Sequence, residues 1–145
     1  MATTGLQVWD KTVQTTNIWL DEIMDAIGPD RQFAWHVLGA VLRTLRDRLP
    51  IEIAVHLGAQ LPLLVRGAYY EQWHVGGEHP TGRGMEEFLG RVAASLGDTR
   101  SVAPAEATAA VFATLARHVD PGQVAKVLSA LPEGIRRPLR DATAL

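Results

Sequence analysis

Apolar residues recur at helical spacing through most of the chain. Between Gly5 and Gly28 they fall at Trp9, Val13, Leu20, Ile23, Met24 and Ile27, with Thr16 completing the stripe. Steps of three and four put these side chains on one face of a helix. Asp10, Lys11, Asp21, Glu22 and Asp25 mostly take the other face, and Gly28-Pro29 ends the element. Glycine tolerates the left-handed cap there, and proline cannot extend the hydrogen-bond ladder. A second helix is predicted over about 30–49, with Phe33, Ala34, Val37, Leu38, Val41, Leu42, Leu45 and Leu49 inward. Arg43, Arg46, Asp47 and Arg48 are expected to face out or line an edge. Pro50 suits the first turn of a third helix, about 51–61, carrying Ile53, Ala54, Leu57 and Leu61 on its inner face. Pro62 restarts the chain, and a fourth segment from 63 to about 71 runs into Tyr69-Tyr70-Glu71-Gln72-Trp73.

Residues 74–83 read as a loop, because glycine, proline and polar residues cluster there without periodicity. Helical spacing then resumes over about 85–96, 104–119 and 121–130, with a short last piece near 133–139. Asp120-Pro121-Gly122-Gln123 is a helix start: aspartate caps, proline fits the first turn, and Gln123 can reach back. Val and Ile keep helical rather than alternating spacing, so no strand is predicted. The expected fold is all-α, a compact bundle of about seven to eight helices.

The two halves of the chain match each other. Trp19-Leu20 aligns with Phe88-Leu89, Ile23 with Val92, and Ile27-Gly28 with Leu96-Gly97. After one extra residue in the second half, Ala40-Val41-Leu42-Arg43-Thr44-Leu45 aligns with Ala110-Val111-Phe112-Ala113-Thr114-Leu115. Leu49 then pairs with Val119, Leu57 with Val127, Leu61-Pro62 with Leu131-Pro132, Val65 with Ile135 and Arg66 with Arg136. One unit of three helices and a short fourth cannot easily close its own core. Two units related by a pseudo-twofold axis can bury their faces on each other. The expected organisation is therefore one all-α domain over 1–145. Repeat one lies at about 16–71, a connecting loop at 72–84, and repeat two at about 85–139.

The strings from Ala40 to Pro50, from Ala59 to Gly67, and Tyr69-Tyr70-x-x-Trp73 resemble bacterial proteins of the domain-of-unknown-function 2267 family. The stretch from Glu87-Phe88-Leu89 to Leu131-Pro132-Glu133-Gly134-Ile135-Arg136 is similar to the family's C-terminal half. The resemblance covers roughly residues 15–140. It implies an all-α duplicated prokaryotic domain, sometimes attached to regulatory modules, and it carries over no activity and no catalytic residue. Repeat two lacks the Tyr-Tyr-x-x-Trp segment, so any role of that segment belongs to repeat one.

Composition narrows the chemistry. The chain has 145 residues with no cysteine, which excludes disulfides, thiolate metal sites and cysteine nucleophiles. A net charge of −2 does not advertise nucleic-acid or membrane binding, and neither partner is expected. No stretch approaches the ~18–20 apolar residues of a membrane span. The first residues carry no secretory signal, and a cytoplasmic location is expected. Of the five histidines, His74 and His79 share the loop with Glu78, while His36, His56 and His118 fall on separate helices. A metal site needs three or four converging ligands, so no metal site and no cofactor is expected. Asp21, Glu22, Asp25, Glu86 and Glu87 read as solvated carboxylates that favour helix N-termini. Ser95, Ser101 and Ser129 lie in no nucleophile elbow, and no catalytic motif appears.

Tyr69, Tyr70 and Trp73 are the one feature that the duplication does not require. Aromatic side chains with a polar handle anchor partners and ligands, and they also seal bundles where a helix ends. With Arg66 and His74 they form the candidate binding residues. The leading expectation is a non-enzymatic interaction or regulatory module acting through protein–protein contacts, with a protein partner or a second copy. The alternative is a small-ligand carrier with a pocket between the repeats near Tyr69, Tyr70 and Trp73.

Overall fold

The computed structural model describes residues 4–77, 80–97 and 102–143. Glu78, His79 and Ser101, named above, lie outside the described residues. Among those described there are eight helices and no strand: α1 (Gln7–Ile27), α2 (Arg31–Arg48), α3 (Ile51–Ala59), α4 (Leu63–Tyr70), α5 (Met85–Leu96), α6 (Pro104–His118), α7 (Pro121–Ser129) and α8 (Glu133–Thr143).

The punctuation of the sequence sets these boundaries. Gly28 and Gly97 end α1 and α5 at φ of 124° and 67°, a region that favours glycine. Their N–H groups bond back to the carbonyls of Met24 and Ala93. Asp30 caps α2 by accepting from the Phe33 N–H at 3.1 Å, and Asp120 caps α7 by accepting from Gln123 at 3.3 Å. The expected return bond from Gln123 does not form. The Asp120 N–H is taken at 2.8 Å by the side chain of Gln60, from the first half of the chain. Pro50 and Pro62 stand one residue before α3 and α4 rather than inside them.

Helices α2 and α6 form the centre. α2 packs on α1, α4, α5 and α6, while α6 packs on α1, α5, α7 and α8 as well. α3 lies against α4 and α7. One continuous apolar core joins Trp19 and Ile23 of α1, Leu38, Leu42 and Leu45 of α2, and Tyr69 of α4 to Phe88 of α5, Phe112 of α6 and Ile135 of α8.

Two elements depart from expectation. The apolar face of α1 is buried from Thr16 to Ile23, but Trp9 and Val13 on the same face are 55% and 44% exposed. α1 has 21 residues, about 31 Å at 1.5 Å per residue, and its first two turns, in which only Thr12 is buried, form an overhang. α8 continues to Thr143, past Pro138, because Leu139 and Ala142 beyond the proline pack on the core.

Candidate functional site

The end of α4 gathers three of the five candidate residues. Tyr69 is fully buried and donates its hydroxyl to the Ala54 carbonyl of α3 at 2.6 Å. Burial, helped by neighbouring Tyr70, pushes its ionisation far above the usual tyrosine range and outweighs the opposing charge of Arg46. Its hydroxyl is therefore a fixed donor. Tyr70 is half-buried and tilts against Tyr69, with ring centroids 5.0 Å apart. It also stacks on Trp73 at 5.6 Å and 17°. The Arg46 guanidinium lies 5.7 Å from the centre of the Trp73 ring, which adds a cation–π contact. α3 can approach these rings because residue 58 is glycine: a Cβ there would collide with the Tyr70 hydroxyl.

Arg66 and His74 are not part of that stack. Arg66 turns back to the end of α3, donating to the carbonyls of Gly58 at 2.9 Å, Ala59 at 3.1 Å and Leu61 at 3.0 Å. It satisfies carbonyls that a helix end leaves without partners. Arg136 does the same at the end of α7, donating to Leu128, Ser129 and Leu131. His74 is exposed in the segment after α4.

Arg46 and Arg48 of α2 turn inward rather than facing out or lining an edge. Arg46 keeps only 3% of its side chain exposed and donates to the carbonyls of Tyr69 at 2.8 Å and Glu71 at 2.6 Å. Arg43 donates to the Ala68 carbonyl at 3.1 Å. Both guanidiniums thus meet the electronegative end of α4. Arg48 is 2% exposed and reaches across the molecule to the Gly82 carbonyl and the Glu87 carboxylate of α5. Its burial and the charge of Arg91 both work against its protonated form. Glu87 is correspondingly not a solvated carboxylate; it is shared between Arg48 and Arg91.

Glu22 also departs from the solvated reading. It binds Arg117 at 2.8 Å and His118 at 2.6 Å, and His118 stacks on Trp19 at 5.2 Å. Burial alone would raise the Glu22 carboxyl, but the bonds and charges of Arg117 and His118 outweigh it and hold it below the usual range. His36 contacts the Leu96 carbonyl, and His56 is exposed. Among the described residues no three of His, Asp and Glu converge as a metal-binding group.

Between α2 and α5 lies an open cleft of about 260 Å³, walled by Arg43, Arg46, Asp47, Gln72, Arg91 and Ser95. It adjoins the aromatic stack through Arg46, and none of the five candidate residues lines it. The sequence pattern puts Arg43 and Arg46 on an outer face or an edge of α2. Arg91, Ser95 and Gln72 carried no signal, because only the fold brings α5 and residue 72 opposite α2.

A family model described as "Uncharacterized conserved protein (DUF2267)" matches residues 16–137. The chain belongs to the DUF2267 family. No curated protein matches it. The DUF2267 span begins at Thr16 and leaves out the overhang with Trp9 and Val13. The whole cleft lies within the DUF2267 span. No helix among the described residues is long and apolar enough to cross a membrane.

Proposed function

We propose that this DUF2267 chain is a non-enzymatic interaction module that docks a protein partner, or a second copy, on an apolar surface of its first half. The carrying observation is one of placement. The large hydrophobic residues that remain exposed are Leu6, Val8, Trp9, Val13 and Ile18 in and before α1, Ile51 and Val55 on α3, Leu63 and Leu64 on α4, and Val75. Among the described residues all ten precede residue 76, and none comes from α5 to α8. Scattered exposed apolar residues are normal, whereas their concentration in one half marks a surface that is covered in use. The Leu64 N–H lies 3.4 Å from the Thr12 hydroxyl, so the start of α4 and the overhang of α1 adjoin. Tyr70 and Trp73, half-buried at the end of α4, extend the apolar character of this half.

The reading includes a tandem duplication, repeat one over about 16–71 and repeat two over about 85–139. Several paired features support it. Arg66 and Arg136 clamp the ends of α3 and α7 through carbonyls at the same separations along the chain. Thr44 and Thr114 each bond the carbonyl one turn back. In this alignment Ile51, Val55, Leu63 and Leu64 stand opposite Pro121, Ala125, Glu133 and Gly134. Repeat two thus places small, charged or proline residues where repeat one is apolar. A cytoplasmic site of action, in keeping with a cysteine-free chain, is part of the same reading.

Size exclusion with light scattering tests it, together with Tyr70→Ala and Trp73→Ala in capture from lysate of the native cell. Concentration-dependent association, or a specific partner lost by both variants, supports the module. A strict monomer whose variants keep every partner removes it. The α2–α5 cleft favours a second reading, a small-ligand carrier.

A further inference from the structure

The cleft between α2 and α5 holds an excess of positive charge. Arg43, Arg46 and Arg91 line it with one carboxylate, Asp47. Asp47 is engaged by Arg46 through both Nε and Nη2, at 3.0 and 2.8 Å. Glu87 is divided between Arg48 and Arg91. Glu71 meets Arg46 only through its backbone carbonyl. Among the described residues Arg43 has no carboxylate partner, and Arg91 shares Glu87 with Arg48.

Hydrogen-bond donors are also left over on residues that line this cleft. Arg43 spends one Nη1 hydrogen on Ala68, which leaves its Nε and Nη2. Arg91 spends Nε on Glu87, which leaves both terminal amines. Gln72 and Ser95 complete the wall with an amide and a hydroxyl. Gln72 is held at φ 59°, the only non-glycine residue with positive φ among those described. Such backbone strain gathers at ligand clamps. Guanidinium forks match the geometry of phosphate oxygens. The volume of about 260 Å³ compares with roughly 30 Å³ for a water molecule, which leaves room for a phosphoryl group and a small organic remainder.

We infer that this cleft binds a small phosphate-bearing anion, either free phosphate or the phosphoryl group of a phosphomonoester, across the seam between α2 and α5. The inference deepens the carrier reading and uses no residue of the apolar surface. Arg43 and Arg91 supply the direct contacts, and Ser95 and Gln72 complete the coordination. Arg46 holds the end of α4 in place beneath the site.

The test is thermal unfolding of the full chain with inorganic phosphate, glycerol phosphate, and sodium chloride at matched ionic strength. Arg91→Ala and Arg43→Ala are the site variants, and Arg137→Ala, on the exposed face of α8, is the control. Phosphate should raise the melting temperature where chloride does not, because a ligand of the native state stabilises it by mass action. Glycerol phosphate acting at lower concentration than phosphate would assign the site to a phosphomonoester, and the reverse order to the free ion. Arg91→Ala, whose side chain is half exposed and not needed for the core, should weaken binding about tenfold or more, and Arg137→Ala should not. Equal responses to phosphate and chloride, or an unchanged response in Arg91→Ala, would overturn the inference. Native mass spectrometry separates the two readings. A retained uncharged ligand that phosphate does not displace overturns the anion alone. An empty protein that responds to no ligand overturns both.

Discussion

The hydroxyl of Tyr70 occupies the space that a Cβ on Gly58 would need. Helix α3 therefore lies close enough to α4 for Tyr69 to bond Ala54. In the second half the aligned residues are Leu128 for Gly58 and Arg140 for Tyr70. A glycine with a tyrosine in one half stands where the other has a leucine and an arginine.

This predicts an asymmetry between two glycines on neighbouring helices. Gly58→Ala gains helix propensity yet forces the Tyr70 ring aside, so it should destabilise by about 1–3 kcal/mol. A Cβ at Gly67, in α4, meets nothing, so Gly67→Ala should stabilise by about 0.5–1 kcal/mol. Urea unfolding of the two variants gives the comparison.

The arginine clamps predict a matched pair of losses. Arg66→Ala and Arg136→Ala each remove three bonds to helix-end carbonyls. Each should cost about 1.5–3 kcal/mol, and the two costs should agree closely if the halves are duplicates. Arg137→Ala, with 76% of its side chain exposed, should be neutral within about 0.5 kcal/mol.

The link between α1 and α6 predicts a pH dependence. Glu22 is held below the usual carboxylate range when folded. Its contribution is present above the unfolded carboxylate value and is lost as pH falls through the lower folded value. Glu22→Gln should therefore cost about 0.5–1 kcal/mol at neutral pH. The gap from wild type should close in acid, as followed by thermal melts across pH.

The overhang predicts mutations without a folding cost. Trp9→Ser and Leu63→Ser replace exposed side chains, so stability should change by no more than about 0.5 kcal/mol. Retained chemical denaturation midpoints with weaker association would separate a docking role from a packing role.

The sequence made most of the helices legible because they are bounded by residues with strong local preferences: Gly28, Asp30, Pro50, Pro62, Gly97 and Asp120. It could not say that Arg46 and Arg48 turn inward. That depends on which carbonyl ends and carboxylates the fold brings to them, the end of α4 for one and Glu87 for the other. Nor could periodicity show that Trp9 is exposed, because the apolar stripe of α1 runs on at the same spacing from Trp9 to Ile27. Tyr69 and Tyr70 show the same limit at the candidate site. Adjacent helical residues differ by about 100° in direction, and here one ring enters the core while the other stays at the rim.

The most direct test of the docking surface is site-specific photo-crosslinking in the native cell. A crosslinking residue at Val55, exposed on α3, is compared with one at Ala125, exposed at the aligned position of α7. The account predicts a discrete adduct from position 55 and none from position 125. Equal adducts from both positions, or none from position 55, would contradict it.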